Sequence, residues 1–235
     1  MSDSNTAGPP AASLRVSRAR RTLDIIVAAV LLVILAPFIA VSAVLILVTM
    51  GRPVFFAQVR VGERGRRFVL YKLRTMRVVA SGPEVTAQAD IRITRLGSLL
   101  RRTSFDELPQ LWHVLRGQMT LVGPRPESDA LAVRYPVSCR SVLMARPGLT
   151  GPAQLCYRER SAVPPTAWTD VESWYLQVLV PLRVAADLEY LHRPTIRRTV
   201  RYLLLTALFV LGITDLQRPV AAPAVTTQTA SDTAS

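Results

Sequence analysis

Two adjacent carboxylates, Asp106 and Glu107, are the residues of this chain best suited to chemistry on a phosphate. A helix is predicted from Phe105 through Leu115, and Ser104 stands three residues before Glu107 as in a capping box. A helix N-terminus offers unpaired amide N–H groups and a partial positive charge, which stabilise anionic side chains and bound phosphate alike. The sequence therefore places two acids where a phosphate can also bind.

Basic residues that could hold phosphate flank this pair. Arg101 lies five residues upstream, and Arg125 stands between two prolines. Arginine binds phosphate through two parallel hydrogen bonds, and Mg²⁺ takes oxygen ligands that it shares with substrate phosphates. Lys72 is the only lysine in the chain, which suggests a compact point charge at that position. The alternative is that the acids are only a charge pair at a helix start and that Arg125 is a surface residue.

The element that must position these residues begins with an apolar segment, Leu23–Met50, whose one charged residue is Asp24. As a helix its 28 residues would extend roughly 42 Å at about 1.5 Å per residue, longer than a hydrocarbon core of about 30 Å. A signal peptide would have a shorter apolar core. The segment is therefore predicted to be embedded in a membrane.

Pro37 stands near the middle of this segment, and basic residues flank both of its ends. Proline kinks or breaks a helix, and short basic flanks prefer the cytoplasm. A helix-break-helix hairpin that enters the membrane and returns would keep both flanks inside. A single kinked span is the alternative.

The remaining chain predicts an α+β, mostly helical domain. A β-hairpin is predicted from Pro53–Val61 and Arg67–Met76 around the turn GERG, followed by helices at 91–100, 105–115 and 127–145 and a turn-rich stretch at 147–155. Two C-terminal helices follow, of which the last, with an apolar run of 11 residues at 203–213, is predicted to be interfacial or packed. The predicted organisation is a disordered tail (1–14), a basic flank with a re-entrant hairpin (15–52), a cytoplasmic domain (53–217) and a second disordered tail (218–235).

The composition narrows the class of protein. The chain carries 29 Lys and Arg against 16 Asp and Glu, yet half of its residues are hydrophobic. A soluble basic protein is rarely so apolar, and stacking aromatics that would accompany nucleic-acid binding are not interleaved with the basic residues. The balance favours a basic domain held at anionic membrane lipids, with no nucleic-acid partner.

Ordered motifs along the chain resemble the bacterial sugar transferase family, in its short monotopic form of polyprenyl-phosphate phosphoglycosyl transferase. The resemblance covers roughly residues 20–205. It includes the basic-flanked apolar segment with its central proline, YKLRTM (71–76), DIRITRLGSLLRRTSFDELPQLWHVLRG (90–117), LVGPRP (121–126), RPGLTGPAQ (146–154) and DLEYL (187–191).

The resemblance implies a two-step transfer of sugar-1-phosphate from a UDP-sugar to polyprenyl (undecaprenyl) phosphate, with UMP released first. Asp106 would be the nucleophile and a Mg²⁺ ligand, and Glu107 its acid/base or positioning partner. Arg101, Arg125 and Lys72 would contact phosphates or the nucleotide. The resemblance also implies that the membrane segment is re-entrant, that both termini and the domain face the cytoplasm, and that the pathway makes exopolysaccharide, capsule or another glycan. A homodimer is compatible with it.

The chain departs from the family pattern at His113, where Asn is usual, at Gln118, where Asp is usual, and at Pro152, where a larger apolar residue is common. None of these positions is a predicted catalytic residue, so an active enzyme is expected. A catalytically inactive, membrane-anchored scaffold or anionic-lipid binder is the alternative.

Overall fold

The computed structural model describes residues 15–77, 92–157, 171–214 and 216. The predicted disordered tails, 1–14 and 218–235, lie outside these residues.

The first helix, α1, spans Arg18–Met50 and is 33 residues long. The Ser17 side chain accepts a hydrogen bond from Arg20 N at its start, and Gly51, with φ +71°, ends it. The helix is long and apolar enough to cross a membrane. Pro37 lies inside it and does not interrupt it, so the predicted break is not seen. A proline removes one backbone hydrogen bond and permits a bend, and the helix can continue when the neighbouring bonds hold.

The predicted hairpin is confirmed. Strands β1 (Phe55–Val61) and β2 (Arg67–Leu73) pair antiparallel, with Phe56 opposite Lys72. The connection contains a short 3-10 turn, Glu63–Gly65, in which both Arg64 and Gly65 have a positive φ. Glycine at position 65 adopts that conformation without the steric cost that a side chain would carry.

The predicted helices around the acidic pair are present, but with different bounds and partly as 3-10 helix. Helix α2 covers Arg95–Arg102, a 3-10 segment covers Phe105–Gln110, and helix α3 covers Leu111–Leu115. The capping box is wrong, because Ser104 is left-handed (φ +59°) and its side chain makes no cap hydrogen bond. Pro109, inside the segment, has no N–H to donate, which disfavours a regular α-helix there.

The rest of the described chain consists of short elements and two longer C-terminal helices. Their order is β3 (Thr120–Val122), α4 (Asp129–Ala132), a 3-10 segment (Val137–Met144), β4 (Gly148–Thr150), α5 (Pro152–Cys156), α6 (Val171–Trp174), a π-helical turn (Tyr175–Leu179), α7 (Val180–His192) and α8 (Ile196–Val210). β3 and β4 form a parallel pair that the sequence did not predict. The predicted helix at 127–145 is reduced to α4 and the 3-10 segment. The α+β, mostly helical class is confirmed.

Two apolar clusters hold the domain together. The larger one joins α1, α3, β3 and α7 around enclosed side chains, among them Leu111, Leu121, Trp174 and Tyr190. The smaller one joins Ile46 near the end of α1 to Leu73 on β2 and Leu100 on α2. α1 is therefore packed against the domain near both of its ends.

Helix α8 carries an exposed apolar stripe at four-residue spacing, formed by Ile196, Val200, Leu204 and Leu208. Its opposite side packs on the core through Tyr202 and Leu203. The helix is therefore packed on one side, as predicted, and its apolar side remains suited to a membrane surface.

Candidate active site

The two predicted catalytic acids lie on the 3-10 segment Phe105–Gln110. Asp106 is fully buried, and Glu107 is partly exposed. Glu107 N donates to Ser104 O at 3.1 Å, so the left-handed turn at Ser104 fixes the backbone just before the acids. The chain thus presents the pair from a short, tightly wound segment between α2 and α3.

Arg125 reaches this segment from the loop after β3. Its Nη1 lies 3.3 Å from Glu107 Oε1. The loop backbone is held by the parallel pair, because Gly123 N donates to Thr150 O at 2.9 Å and Gly148 N donates to Pro124 O at 2.7 Å. The close approach excludes a side chain at 148, where a Cβ would lie 2.1 Å from Gly123 N. Arg125 therefore stands on a rigid loop, as its proline frame predicts.

Lys72 completes the group from strand β2. Burial lowers the pKa of Lys72 to about 8, Asp106 and Glu107 act to raise that pKa, and Arg125 acts to lower it. Strand β2 packs against the 3-10 segment that carries both acids, so Lys72 lies near Asp106 and Glu107, and Arg125 joins them through its contact with Glu107. The Lys72 Nζ also lies 5.1 Å from the centre of the Phe56 ring across the hairpin. The structure thus brings together four of the five predicted site residues.

Arg101, the fifth, is buried at the end of α2. Its carbonyl oxygen accepts a hydrogen bond from Ser104 N at 3.3 Å, at the turn that leads into the acidic segment. Its role as a phosphate ligand stays a prediction.

A buried polar layer behind Arg125 was missed by the sequence analysis. Its centre is Glu127, whose Oε2 accepts hydrogen bonds from the hydroxyls of Tyr135, at 2.8 Å, and Tyr175. Glu127 Oε1 accepts from Ser128 N at 2.9 Å and faces Arg60 Nη1 at 3.5 Å. Arg183 extends the layer by donating to the Tyr175 hydroxyl at 3.1 Å. The only signal in the sequence was the acid directly after Pro-Arg-Pro.

Arg125 and Asp187, on α7, are among the residues that line a small cavity of about 30 Å³. Burial raises the pKa of Asp187 to about 7, against the opposing effects of a hydrogen bond from Ala153 N and the charge of Arg183. Asp187 opens the DLEYL motif and is a further acid that the sequence analysis did not assign to the site.

The start of α1 is tied directly to β3. Asp24, which the sequence showed only as a charge at the edge of the apolar segment, accepts hydrogen bonds from Thr120 Oγ1 at 2.6 Å and Leu121 N at 3.1 Å. Arg20 Nη2 donates to Val122 O at 3.1 Å. Both contacts precede the Arg125 loop by a few residues, so the apolar helix α1 and the candidate site are attached to the same strand, β3.

The acids are suited to Mg²⁺ but do not enclose it. Within the described residues no group of three or more His, Cys, Asp or Glu side chains is placed to hold a metal ion. Asp106 and Glu107 can supply one or two hard oxygen ligands, and Mg²⁺ commonly completes its octahedron with waters and substrate phosphates. This donor set fits a metal shared with a diphosphate.

Comparison with known proteins shows the family of the chain. The model of the bacterial sugar transferase family matches residues 15–212. The chain is 38% identical over 206 residues to the UDP-glucose:undecaprenyl-phosphate glucose-1-phosphate transferase of Caulobacter vibrioides, covering 85% of this chain and 72% of that protein. It is 43% identical over 118 residues to a putative undecaprenyl-phosphate N-acetylgalactosaminyl 1-phosphate transferase of Bacillus subtilis, covering 49% of this chain and 66% of that protein.

Several other relatives are longer than the matched region. The chain is 36% identical over 200 residues to the UDP-glucose:undecaprenyl-phosphate glucose-1-phosphate transferase of Xanthomonas campestris, and this match spans 83% of the chain but 39% of that protein.

Proposed function

Because the chain belongs to the bacterial sugar transferase family, we propose that it transfers sugar-1-phosphate from a UDP-sugar to undecaprenyl phosphate. The observation that carries this proposal is the convergence of Asp106, Glu107, Lys72 and Arg125 in a domain packed on a long apolar helix. Two carboxylates and two cations suit a diphosphate donor, and the helix suits an acceptor that cannot leave the membrane. The relatives described above are named for the same reaction class.

The first step of the proposed reaction is attack on the donor. An Asp106 carboxylate oxygen forms a bond to the phosphorus that carries the sugar, and the bond from that phosphorus to the bridging oxygen breaks. UMP leaves with the bridging oxygen and its electron pair. Lys72 and Arg125 are placed to offset the negative charge on the phosphates during this displacement.

The second step regenerates the carboxylate. A phosphate oxygen of undecaprenyl phosphate attacks the same phosphorus, and the bond to Asp106 breaks to give undecaprenyl diphosphate sugar. The covalent intermediate lets a water-soluble donor and a membrane-bound acceptor use one site in turn. Asp106 is fully enclosed, which keeps bulk water away from a phosphorylated carboxylate and favours the lipid as acceptor.

Asp106 and Glu107 would hold Mg²⁺ together with the donor phosphates, and the ion would supply charge neutralisation at the diphosphate. Glu107 also forms an ion pair with Arg125. It is therefore placed to keep that arginine oriented before the donor arrives.

The contacts of α1 support a re-entrant membrane topology. A 33-residue helix is about 50 Å long, so a straight span would carry its two ends to opposite sides of the membrane. Yet Arg20 and Asp24 at its start bind the domain, and at its end Arg74 donates to the carbonyls of Met50, Gly51 and Arg52 at 2.6–3.0 Å. A bend near Pro37 would leave both ends, the domain and both termini on the cytoplasmic face.

Replacement of the nucleophile tests the reaction. We expect Asp106→Asn to abolish Mg²⁺-dependent UMP release from UDP-sugars, because an amide cannot form the covalent intermediate. Asp129→Asn is the matched control, since Asp129 pairs with Arg67 on the surface away from the site. Wild-type turnover in Asp106→Asn would overturn the assignment, and a wild-type chain that releases no UMP from a panel of UDP-sugars would favour the inactive scaffold.

Thiol labelling in intact cells tests the topology. Single cysteines are placed at Arg18, the first residue of α1, or at Arg52, two residues after its end, in a chain whose Cys139 and Cys156 are serine. We expect a membrane-impermeant thiol reagent to reach neither residue until the cells are lysed. Labelling of only one of the two in intact cells would show a straight span.

A further inference from the structure

Two of the residues that depart from the family pattern contact each other. The Nδ1 atom of His113 lies 2.8 Å from Gln118 Oε1. The backbone closes the same loop, because Gln118 N and Met119 N both donate to His113 O, at 3.0 and 3.1 Å. The His113 ring is almost completely buried, so its orientation is fixed by these neighbours.

The other ring nitrogen of His113 binds the hairpin. Tyr71 N lies 3.1 Å from His113 Nε2. A peptide N–H can only donate, so Nε2 accepts, and in the neutral ring the proton is on Nδ1, where it is donated to Gln118 Oε1. The Tyr71 ring stacks on the imidazole, and Phe68 packs against it edge-on, with centroids 5.7 and 5.5 Å away.

This hydrogen bond joins the two chain segments that meet in the active site. Tyr71 is the residue before Lys72 on β2. His113 lies on α3, which continues directly from the 3-10 segment that carries Asp106 and Glu107. The hydrogen bond therefore connects the strand that carries the Lys72 ammonium group to the segment that carries the two carboxylates.

We propose that His113 and Gln118 are positioning residues that fix strand β2 against α3 and thereby hold Lys72 beside Asp106 and Glu107. Gln118 selects the tautomer, His113 accepts from the Tyr71 backbone, and the strand transmits the constraint to the next residue. Neither side chain takes part in the reaction itself. The kinetic consequences rest on the proposed function, whereas the structural consequences do not.

Two substitutions of His113 separate the hydrogen bond from the packing. Glutamine can place an oxygen where Nε2 lies, and asparagine ends near the position of Nδ1. We expect His113→Asn to lower kcat for UMP release on the order of tenfold or more, because small misplacements of catalytic groups are costly, and His113→Gln to restore most of it. His192→Asn and His192→Gln are matched controls, since His192 is exposed and its ring bonds Leu188 O of its own helix.

The single lysine of the chain gives a direct readout. Lysine labelled with ¹⁵N at Nζ yields one side-chain resonance, identified by its loss in Lys72→Arg. We expect the chemical shift of this resonance to stay at its wild-type position in His113→Gln. In His113→Asn and Gln118→Leu the resonance should move towards the position of an exposed lysine and exchange faster with water, because Lys72 is no longer held against the acidic segment.

The Tyr71 amide can be observed in the same way. Leu70-Tyr71 is the only Leu-Tyr pair in the sequence, so a ¹³C carbonyl on leucine and ¹⁵N on tyrosine select one amide signal. We expect that amide to exchange with solvent faster in His113→Asn and Gln118→Leu than in the wild-type protein or His113→Gln.

The outcomes separate this proposal from the proposed function. If the Lys72 Nζ resonance, the exchange rate of the Tyr71 amide and kcat are all unchanged in His113→Asn and Gln118→Leu, the positioning role is wrong. The transferase proposal then still stands. Equal loss in His113→Gln and His113→Asn would likewise overturn it, since packing alone would then account for both. If the wild-type protein releases no UMP but the two spectroscopic changes are still seen in His113→Asn and Gln118→Leu, the transferase proposal is overturned. The positioning role of His113 and Gln118 then stands.

Discussion

Two glutamates on either side of the Arg125 loop are held in opposite ways. Arg125 Nη1 lies 3.3 Å from Glu107 Oε1, and the arginine side chain is 32% exposed. Glu127 is 6% exposed and accepts hydrogen bonds from Ser128 N and two tyrosine hydroxyls. A partly exposed ion pair contributes little to stability and can be exchanged for contacts to a ligand, whereas a buried carboxylate is costly to disturb once it is satisfied. The first region is suited to bind substrate and the second to support it.

The largest expected effect is on activity, in the first region. Arg125→Ala should lower kcat/KM for UMP release by about 100-fold or more, since it removes a preorganised cation at the phosphates. The free energy of unfolding should change by less than about 1 kcal/mol, because the Glu107 pair is partly exposed. Steady-state kinetics and denaturant unfolding measure the two quantities. A large loss of stability in Arg125→Ala without a loss of activity would show that this region supports the fold and does not bind substrate.

Glu127→Leu should have its main effect on stability. It leaves the Tyr135 and Tyr175 hydroxyls without their shared acceptor, and each unsatisfied buried polar group costs about 1–3 kcal/mol. We expect Glu127→Leu to unfold at a clearly lower thermal midpoint than the wild type, and the midpoint of Glu127→Gln to lie between the two. Asp129→Asn again provides a surface control. Unchanged melting in Glu127→Leu would show that the layer behind Arg125 does not support the domain.

The smallest and most specific effect is on the pH dependence. Burial sets the Lys72 pKa at about 8, below its ordinary value, so the ammonium is present below that pH and is lost above it. UMP release should therefore decline as pH rises through about 8, approaching tenfold per pH unit if the charge is required. In Lys72→Arg the decline should disappear, because arginine stays protonated. A decline that persists in Lys72→Arg would assign it to another group.

Local sequence patterns predicted the parts of the molecule that depend on neighbouring residues. The β1–β2 hairpin follows from alternating residues around a glycine turn, and the apolar length of α1 follows from composition alone. The candidate site residues Asp106, Glu107 and Arg125 were found because their motifs are contiguous. Glu107 and Arg125 are 18 residues apart, and the structure supplied the contact between them.

The features that the sequence did not predict depend on distant contacts. β3 and β4 have three residues each, too few for a periodic pattern, and they exist because their backbones pair across 28 positions. Asp24 looked like a boundary charge until β3 supplied two donors for it. The wrong capping box at Ser104 is instead a local feature, because the turn there is left-handed and is closed by hydrogen bonds between residues three positions apart.

Strand β2 carries Lys72, and Arg74, directly after the strand, donates to the carbonyls of Met50, Gly51 and Arg52 at the end of α1. The Lys72 ammonium group and the apolar helix α1 are thus connected through one short, extended stretch of backbone. With α1 embedded as proposed, this connection would fix the height of the site above the lipid. The proposed lipid acceptor would then reach the site by lateral diffusion alone, while the proposed UDP-sugar donor would arrive from the aqueous phase.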